Sequence, residues 1–337
     1  MRYPKFLNKN STIGVFAPSL SCPSNPYLIR YQEAKKKLGY KFYETKSLYN
    51  EFVKARSADK EIRAKEFKEL YFNDSVDFIW AVAGGEFMME ILPYIDFDAI
   101  KNATPKFYMG YSDNTNLTFL LTTICDVASI YGYHPGEFGV TEYDKSLTQT
   151  LKMLNGEDLY QESMDKYQTE DLKHTPGLEL SPFNCQEKVE WKTLSNKDEI
   201  IKGRIIGGCL DVLQCLCGTR FDKVKEFVEK YKDDGIIWYL ESCDLNILSQ
   251  GRAFFQLKEA GWFKYCKGIV LGRPINKNDN FGVTYEDILN DFLSDLNVPV
   301  IYDVDIGHMA PSCYIINGSI TTIECKNNKG KIITELK

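Results

Sequence analysis

The sequence predicts a two-domain α/β protein, and three observations carry that expectation. The chain has 337 residues, enough for about two domains at roughly 150 residues each. In its first half, short continuous apolar runs alternate with longer helical patterns, as in a parallel sheet covered by helices on both faces. From residue 156 to 202 the composition turns polar and irregular, with Pro176-Gly177 and Ser181-Pro182, as a surface connection between domains would. The expected division is an N-terminal α/β domain over 1–155, a connection over 156–202 and a C-terminal β/α domain over 203–337.

Taken in order, residues 12–17 read as a buried strand ending at Pro18-Ser19, and 27–38 as a helix closed by Gly39. A second helix covers 58–72, rich in Lys and Glu, with Ile62, Phe67 and Leu70 on its apolar side. Strands follow at 77–82, ending in Gly84-Gly85, and at 106–109, ending in Gly110. Beyond the connection come a Gly207-Gly208 turn, a helix at 210–216 and a strand at 235–240. The pattern continues with a helix at 249–260, a strand at 268–271, a helix at 285–296 and a strand at 299–302. The tail, 314–336, reads as an antiparallel β pair.

Composition excludes several classes of function. Lys plus Arg number 41 against 47 Asp plus Glu, a net charge of −6, and phosphate neutralisation along nucleic acid needs clustered cations. The longest basic run, Lys35-Lys36-Lys37, lies among polar residues and reads as a solvated helix face. No apolar run of about 18 residues could span a bilayer, and the first ten residues lack the apolar core of a signal peptide. The ten cysteines are scattered, without Cys-x-x-Cys, and several sit in apolar stretches, so they read as buried free thiols in a reducing compartment. A cytoplasmic protein that binds neither nucleic acid nor membrane is the expectation.

Chemistry concentrates where Lys106-Phe107-Tyr108-Met109-Gly110-Tyr111 meets Ser112-Asp113-Asn114 and a helical pattern. Gly110 permits a sharp strand-to-helix turn that would lift the Ser112 hydroxyl out at the carboxyl end of the strand. The backbone N–H of Asp113 would then face an oxyanion formed at a carbonyl attacked by Ser112. Ser112, Asp113 or Asn114 could equally be a helix cap, and Asn114 stands where a Gly-x-Ser-x-Gly elbow has its second glycine. A nucleophilic serine needs a base, and there are three histidines. His174 lies in the polar connection, where an exposed side chain is expected. His134, in Tyr133-His134-Pro135-Gly136, reads first as a turn residue. His308, in Gly307-His308-Met309-Ala310-Pro311, stands just past a strand, where catalytic groups gather on a rigid scaffold.

An orienting carboxylate belongs at another strand end, and Glu241 is the first charge after Ile236-Ile237-Trp238-Tyr239-Leu240. A solvated strand end is the plainer alternative. In this reading Ser112 belongs to one domain and Glu241 and His308 to the other, so the site would lie in the cleft between them. The Gly84-Gly85-Glu86 turn offers Gly85 as a second oxyanion donor, or is simply a tight connection. Glycine-rich phosphate-binding patterns are absent.

Together these segments resemble the serine LD-carboxypeptidases, a family that includes muramoyltetrapeptide carboxypeptidases and microcin C immunity peptidases. The resemblance runs through Gly14-Val15-Phe16-Ala17-Pro18-Ser19, Gly84-Gly85, Gly110-Tyr111-Ser112-Asp113 and Gly203-Arg204-Ile205-Ile206-Gly207-Gly208. It continues through Leu240-Glu241, Gly268-Ile269-Val270-Leu271-Gly272, Pro299-Val300 and Gly307-His308-Met309-Ala310-Pro311. It implies a Rossmann-like N-terminal domain joined to a swivelling β/α C-terminal domain, a homodimer, and a Ser112-Glu241-His308 triad with oxyanion donors at the Gly85 and Asp113 amides. It also implies a small peptide or muropeptide substrate that loses a terminal D-alanine in cell-wall recycling, without metal or cofactor. Cys209 stands where many members have Asn. An immunity-type member would cleave a peptidyl or aminoacyl nucleotide analogue instead and would need an aromatic residue to stack on the base, for which Trp191 is the candidate; packing against the second domain is its other reading. A terminal carboxylate would call for a basic residue, with Arg204 or Arg252 available. A non-catalytic two-domain small-ligand binder is the competing class, and it requires that Ser112, Glu241 and His308 do not converge.

Overall fold

The structure, a computed structural model, describes residues 1–337. In the first half the strands are β1 (Thr12–Phe16), β2 (Lys41–Glu44), β3 (Phe78–Ala81), β4 (Phe107–Gly110) and β5 (Ser129–Tyr131). Between and after them lie α1 (Tyr27–Leu38), α2 (Lys60–Phe72), α3 (Phe97–Asn102), α4 (Thr115–Thr123) and α5 (Lys145–Leu154). The residues of β3 and β4 are buried throughout, because both faces of a parallel sheet are covered and no polar side is needed. Gly39 closes α1 with a left-handed φ of 69°, as a glycine past a helix end should.

Within 156–202, expected as irregular connection, the chain forms the short strands β6 (Tyr160–Glu162), β7 (Lys166–Tyr167), β8 (Glu187–Lys188) and β9 (Lys192–Thr193). Strands of two or three residues are too short for a period-two pattern to register. The long strand β10 (Glu199–Cys209) then leads through α6 (Leu210–Leu216) and α7 (Val224–Lys230) to β11 (Ile236–Glu241), α8 (Ile247–Glu259) and β12 (Cys266–Gly272). The expected Gly207-Gly208 turn is in fact the end of β10, paired in register with Tyr239 and Leu240. After α9 (Tyr285–Leu293) come β13 (Val300–Val304), β14 (Ile315–Asn317), β15 (Ile320–Lys326) and β16 (Lys329–Glu335).

Two main sheets result. The first is six-stranded, in the order β14-β5-β4-β3-β1-β2, and parallel except for β14, which returns from the far end of the chain to pair antiparallel with β5. The second is eight-stranded, β6-β16-β15-β10-β11-β12-β13-β9, with β10 to β13 parallel. The protein is thus α/β, with a Rossmann-like parallel sheet in its first half and a second β/α unit. The expected tail pair is β15 and β16, antiparallel. Helix α4 is buried along its whole length, with Phe119 stacked on Trp262 at 5.2 Å and Trp262 on Trp238 at 5.4 Å. The helix that follows Ser112 is therefore packed into the core that the two sheets share.

Candidate active site

Strand β4 ends at Gly110, Tyr111 is extended, and Ser112 turns back with a φ of +62° before the chain enters α4. A side-chain-bearing residue in this left-handed region carries strain of about 1–3 kcal/mol and persists where its surroundings hold it. Asn114 does much of the holding. Its Nδ2 donates to Ala83 O and Tyr111 O, both at 3.0 Å, and its Oδ1 accepts from the Tyr108 hydroxyl. The Asn114 side chain fills the space beside Gly110, where an added Cβ would lie 2.8 Å from Asn114 Cγ. Asn in place of the second elbow glycine is therefore a brace. The backbone N–H of Ser112 donates to the Tyr131 hydroxyl at 3.0 Å, and none of Ser112, Asp113 and Asn114 caps a helix through its side chain.

Asp113 points its carboxylate inward. Its Oδ2 accepts from Ser19 Oγ at 2.6 Å and Met88 N at 2.9 Å, and its Oδ1 from Asn116 Nδ2 at 2.9 Å. Burial pushes its pKa up even against these hydrogen bonds.

Glu241 closes β11 with a side chain that is 0% exposed. Its Oε2 accepts from His308 Nδ1 at 2.8 Å and its Oε1 from the Tyr131 hydroxyl. With Nδ1 donating, Nε2 is the basic nitrogen that remains. The Tyr111 ring stands 5.2 Å from the imidazole, at 63°. Burial presses the His308 pKa down, but the Glu241 charge and hydrogen bonds with Cys243 and Glu241 outweigh it and hold His308 well above the ordinary histidine value. His134 goes the other way, down to about 3, through burial and then the positive charges of His308 and Lys173. It serves as a neutral acceptor for Asn114 Nδ2 at 3.0 Å, under the Tyr111 ring. His174 is exposed and rests edge-on against Tyr27.

Ser112, His308, Gly84, Gly85 and Tyr111 all line one cleft of about 530 Å³. Both Ser112 and His308 line it, without a hydrogen bond between them. The turn after β3 passes so close that a Cβ on Gly84 would lie 3.2 Å from Ser112 Oγ. Beside it, Gly85 takes a φ of +148°, and Asp113 closes the same wall. A serine on a strained elbow, a carboxylate-bound imidazole and two backbone segments beside the hydroxyl form an arrangement suited to acyl transfer.

Comparison with known proteins identifies the family. The LD-carboxypeptidase N-terminal domain matches residues 13–132, and the LD-carboxypeptidase C-terminal domain matches residues 202–323. The chain belongs to the LD-carboxypeptidase family. A Vibrio cholerae protein named as a carboxypeptidase is 31% identical over 98% of both chains. A Bacillus subtilis protein named as a murein peptide carboxypeptidase is 27% identical, over 94% of this chain and 89% of its own. The Escherichia coli microcin C7 self-immunity protein MccF is also 27% identical, over 96% and 93%. Among solved structures, MccF in its apo state superposes with a TM-score of 0.82 at 24% identity over 99% of both chains. An MccF-like protein of Bacillus anthracis does so at 0.81 and 22%, over 99% of this chain and 100% of its own. These two likenesses are of fold. Membership of a peptidase family makes the protein a hydrolase.

For this LD-carboxypeptidase family member the substrate-contact expectations need correction. Trp191 is fully buried, with Nε1 donating to Asp305 Oδ2 at 2.9 Å, and it does not line the cleft. Arg204 is held in the second sheet by Asp234 Oδ2 at 2.7 Å and lies over the Tyr231 ring. Arg252 is exposed on α8. The Lys and Arg side chains that do line the cleft are Arg30 and Lys173, and Glu86, Asp211 and Asp244 also line it. Arg30 is occupied by Glu137 Oε2 and by the carbonyls of Glu179 and Ser181. Lys173 pairs with Asp171 at 2.7 Å. The residue that sequence reasoning missed is Tyr131. Its position two residues before the already noticed Tyr133-His134, at a strand end of the first sheet, was the available signal.

Proposed function

We propose that this protein is a cytoplasmic serine LD-carboxypeptidase that releases a terminal D-alanine from muropeptides during peptidoglycan recycling. The observation that carries the proposal is the His308 Nδ1 to Glu241 Oε2 hydrogen bond of 2.8 Å, on a wall of the cleft that also holds Ser112 on its elbow. In the first step Ser112 Oγ attacks the scissile carbonyl and its proton passes to His308 Nε2, while Glu241 balances the imidazolium. The amides of Asp113 and Gly85 receive the oxyanion. The imidazolium then protonates the leaving D-alanine nitrogen as the C–N bond breaks. Water attacks the acyl-enzyme and gives a proton to His308 Nε2, which passes it to Ser112 Oγ as the acyl C–O bond breaks. The division into 1–155 carrying Ser112 and 203–337 carrying Glu241 and His308, and assembly as a homodimer, belong to the same proposal.

A second reading keeps the chemistry and changes the substrate to a peptidyl or aminoacyl nucleotide analogue. It is favoured by the MccF relative and by Tyr27 and Phe52, which line the cleft and are 43% and 45% exposed, as rings available to a base would be. Incubation with a muramoyl tetrapeptide, read by mass spectrometry, tests the first reading: loss of one alanine is expected, and Ser112→Ala should abolish it. Cleavage of an acyl-sulfamoyl adenosine in its place would establish the second. Equal activity in Ser112→Ala would end the serine mechanism in both. A binder without catalysis would leave both substrates intact with the wild type as with Ser112→Ala.

A further inference from the structure

We propose that Tyr131 is a positioning residue that joins Ser112 to Glu241 through a single hydroxyl. The phenol accepts the Ser112 backbone N–H at 3.0 Å and donates its own proton to Glu241 Oε1. One oxygen thus touches the elbow that follows the first sheet and the carboxylate that ends β11 in the second. The ring is 1% exposed and is fixed by Tyr111 at 6.4 Å and Tyr239 at 5.6 Å.

Two consequences follow from hydrogen-bond inventory alone. The Ser112 N–H lies at a positive-φ elbow, outside the β ladder, and would be a costly orphan donor without the phenol. Because that N–H is directed at Tyr131, it is removed from the set of oxyanion donors, which leaves the role to Asp113 and Gly85. On the other side, the phenol proton draws negative charge toward Oε1. It thereby weakens the hold of Oε2 on the His308 proton. Tyr131 therefore tempers the basicity of His308 while holding Ser112 at a set distance from the Glu241–His308 pair. The other titratable groups near His308 are Cys243, His134 and Tyr111; Cys209 also faces Glu241. None of these hydrogen-bonds to both Ser112 and Glu241.

The inference rests on the proposed Ser112-Glu241-His308 reading, and the test separates the two. Tyr131→Phe keeps the ring packing and deletes the hydroxyl. In the ¹⁵N-labelled protein, whose three histidines give a simple imidazole spectrum, the His308 titration should move up by about half a unit or more in the variant. The acid limb of kcat/KM should follow it, with kcat falling about tenfold and KM little changed. An unmoved His308 titration overturns the bridge, as does a loss of kcat that is matched by loss of folded protein. Site-specific 3-fluorotyrosine at 131, a stronger donor of the same size, should shift His308 the opposite way and covers the case of a Phe variant that does not fold. A shifted titration in a protein that cleaves neither substrate class would sustain the bridge and reject the reading it rests on.

Discussion

Gly307 and Glu241 are packed so closely that a Cβ on residue 307 would lie 2.5 Å from Glu241 Oε2, and Gly307 has a φ of +109°. A side chain there would strain the backbone and push the carboxylate out of line with His308 at once. Gly307→Ala should lower kcat by about a hundredfold or more while thermal denaturation moves by only several degrees. Activity within threefold of wild type would show that the Glu241–His308 alignment is not needed.

The raised His308 pKa sets the expected pH dependence. The base must be neutral to take the Ser112 proton, so the acid limb of kcat/KM should lie above pH 6.5. Glu241→Gln removes the charge that raises it and should bring the limb down toward or below 6.5, with a large loss of kcat. Stability carries the matching sign: the pair's contribution is fully present below the unfolded value near 6.5 and is lost as pH rises through the raised folded value. The deficit of Glu241→Gln in urea unfolding should therefore be largest below pH 6.5 and should narrow in alkali. A limb that stays put would refute the assignment of His308 as base.

His134 predicts the reverse trend. Its folded pKa is lowered to about 3, so below about 6.5 the unfolded chain takes up a proton that the folded one refuses. Stability drains at up to about 1.4 kcal/mol per pH unit between those values. His134→Gln keeps an acceptor for Asn114 without titrating, and should flatten the acid side of the stability profile by about one proton. An unchanged slope from urea melts between pH 6.5 and 4 would contradict the buried neutral imidazole.

Asp113 braces the elbow through its side chain. Asp113→Ala strands the donors of Ser19, Met88 and Asn116, and should cost about 2–4 kcal/mol of stability by chemical denaturation. Wild-type stability would mean that these hydrogen bonds are replaced at no loss.

Trp191→Phe separates packing from recognition. Loss of the Trp191–Asp305 hydrogen bond in the core should destabilise the protein by about 1–3 kcal/mol, while kcat/KM of the folded enzyme stays within twofold for either substrate class. A selective loss of activity on a nucleotide analogue would return Trp191 to the cleft.

Much of the fold was legible because its central strands are written as unbroken apolar runs: Ile236 to Leu240 could be placed without knowing its neighbours. Ser112, Glu241 and His308 were legible as polar residues at the ends of such runs. What stayed hidden depended on partners distant along the chain. Tyr131 meets Glu241 across 110 positions and Trp191 meets Asp305 across 114, so neither the bridge nor the burial of a tryptophan in a polar stretch has a local signature. The basic residues of the cleft were misassigned for the same reason. Arg204 looked free beside the glycine pair, but its charge is satisfied by Asp234, whereas Lys173 sits on a connection without recognisable periodicity.

The antiparallel pairing of β14 with β5 orders events in the life of the chain. Until residues 315–317 have been synthesised, β5 is an open edge, and Tyr131, which ends that strand, has no neighbour on its outer side. During translation the serine elbow can fold onto α4 early, but it cannot be armed before His308 has been added. An incomplete chain on the ribosome would therefore carry the serine without a working base. Hydrolytic competence would switch on only after residue 308 has emerged.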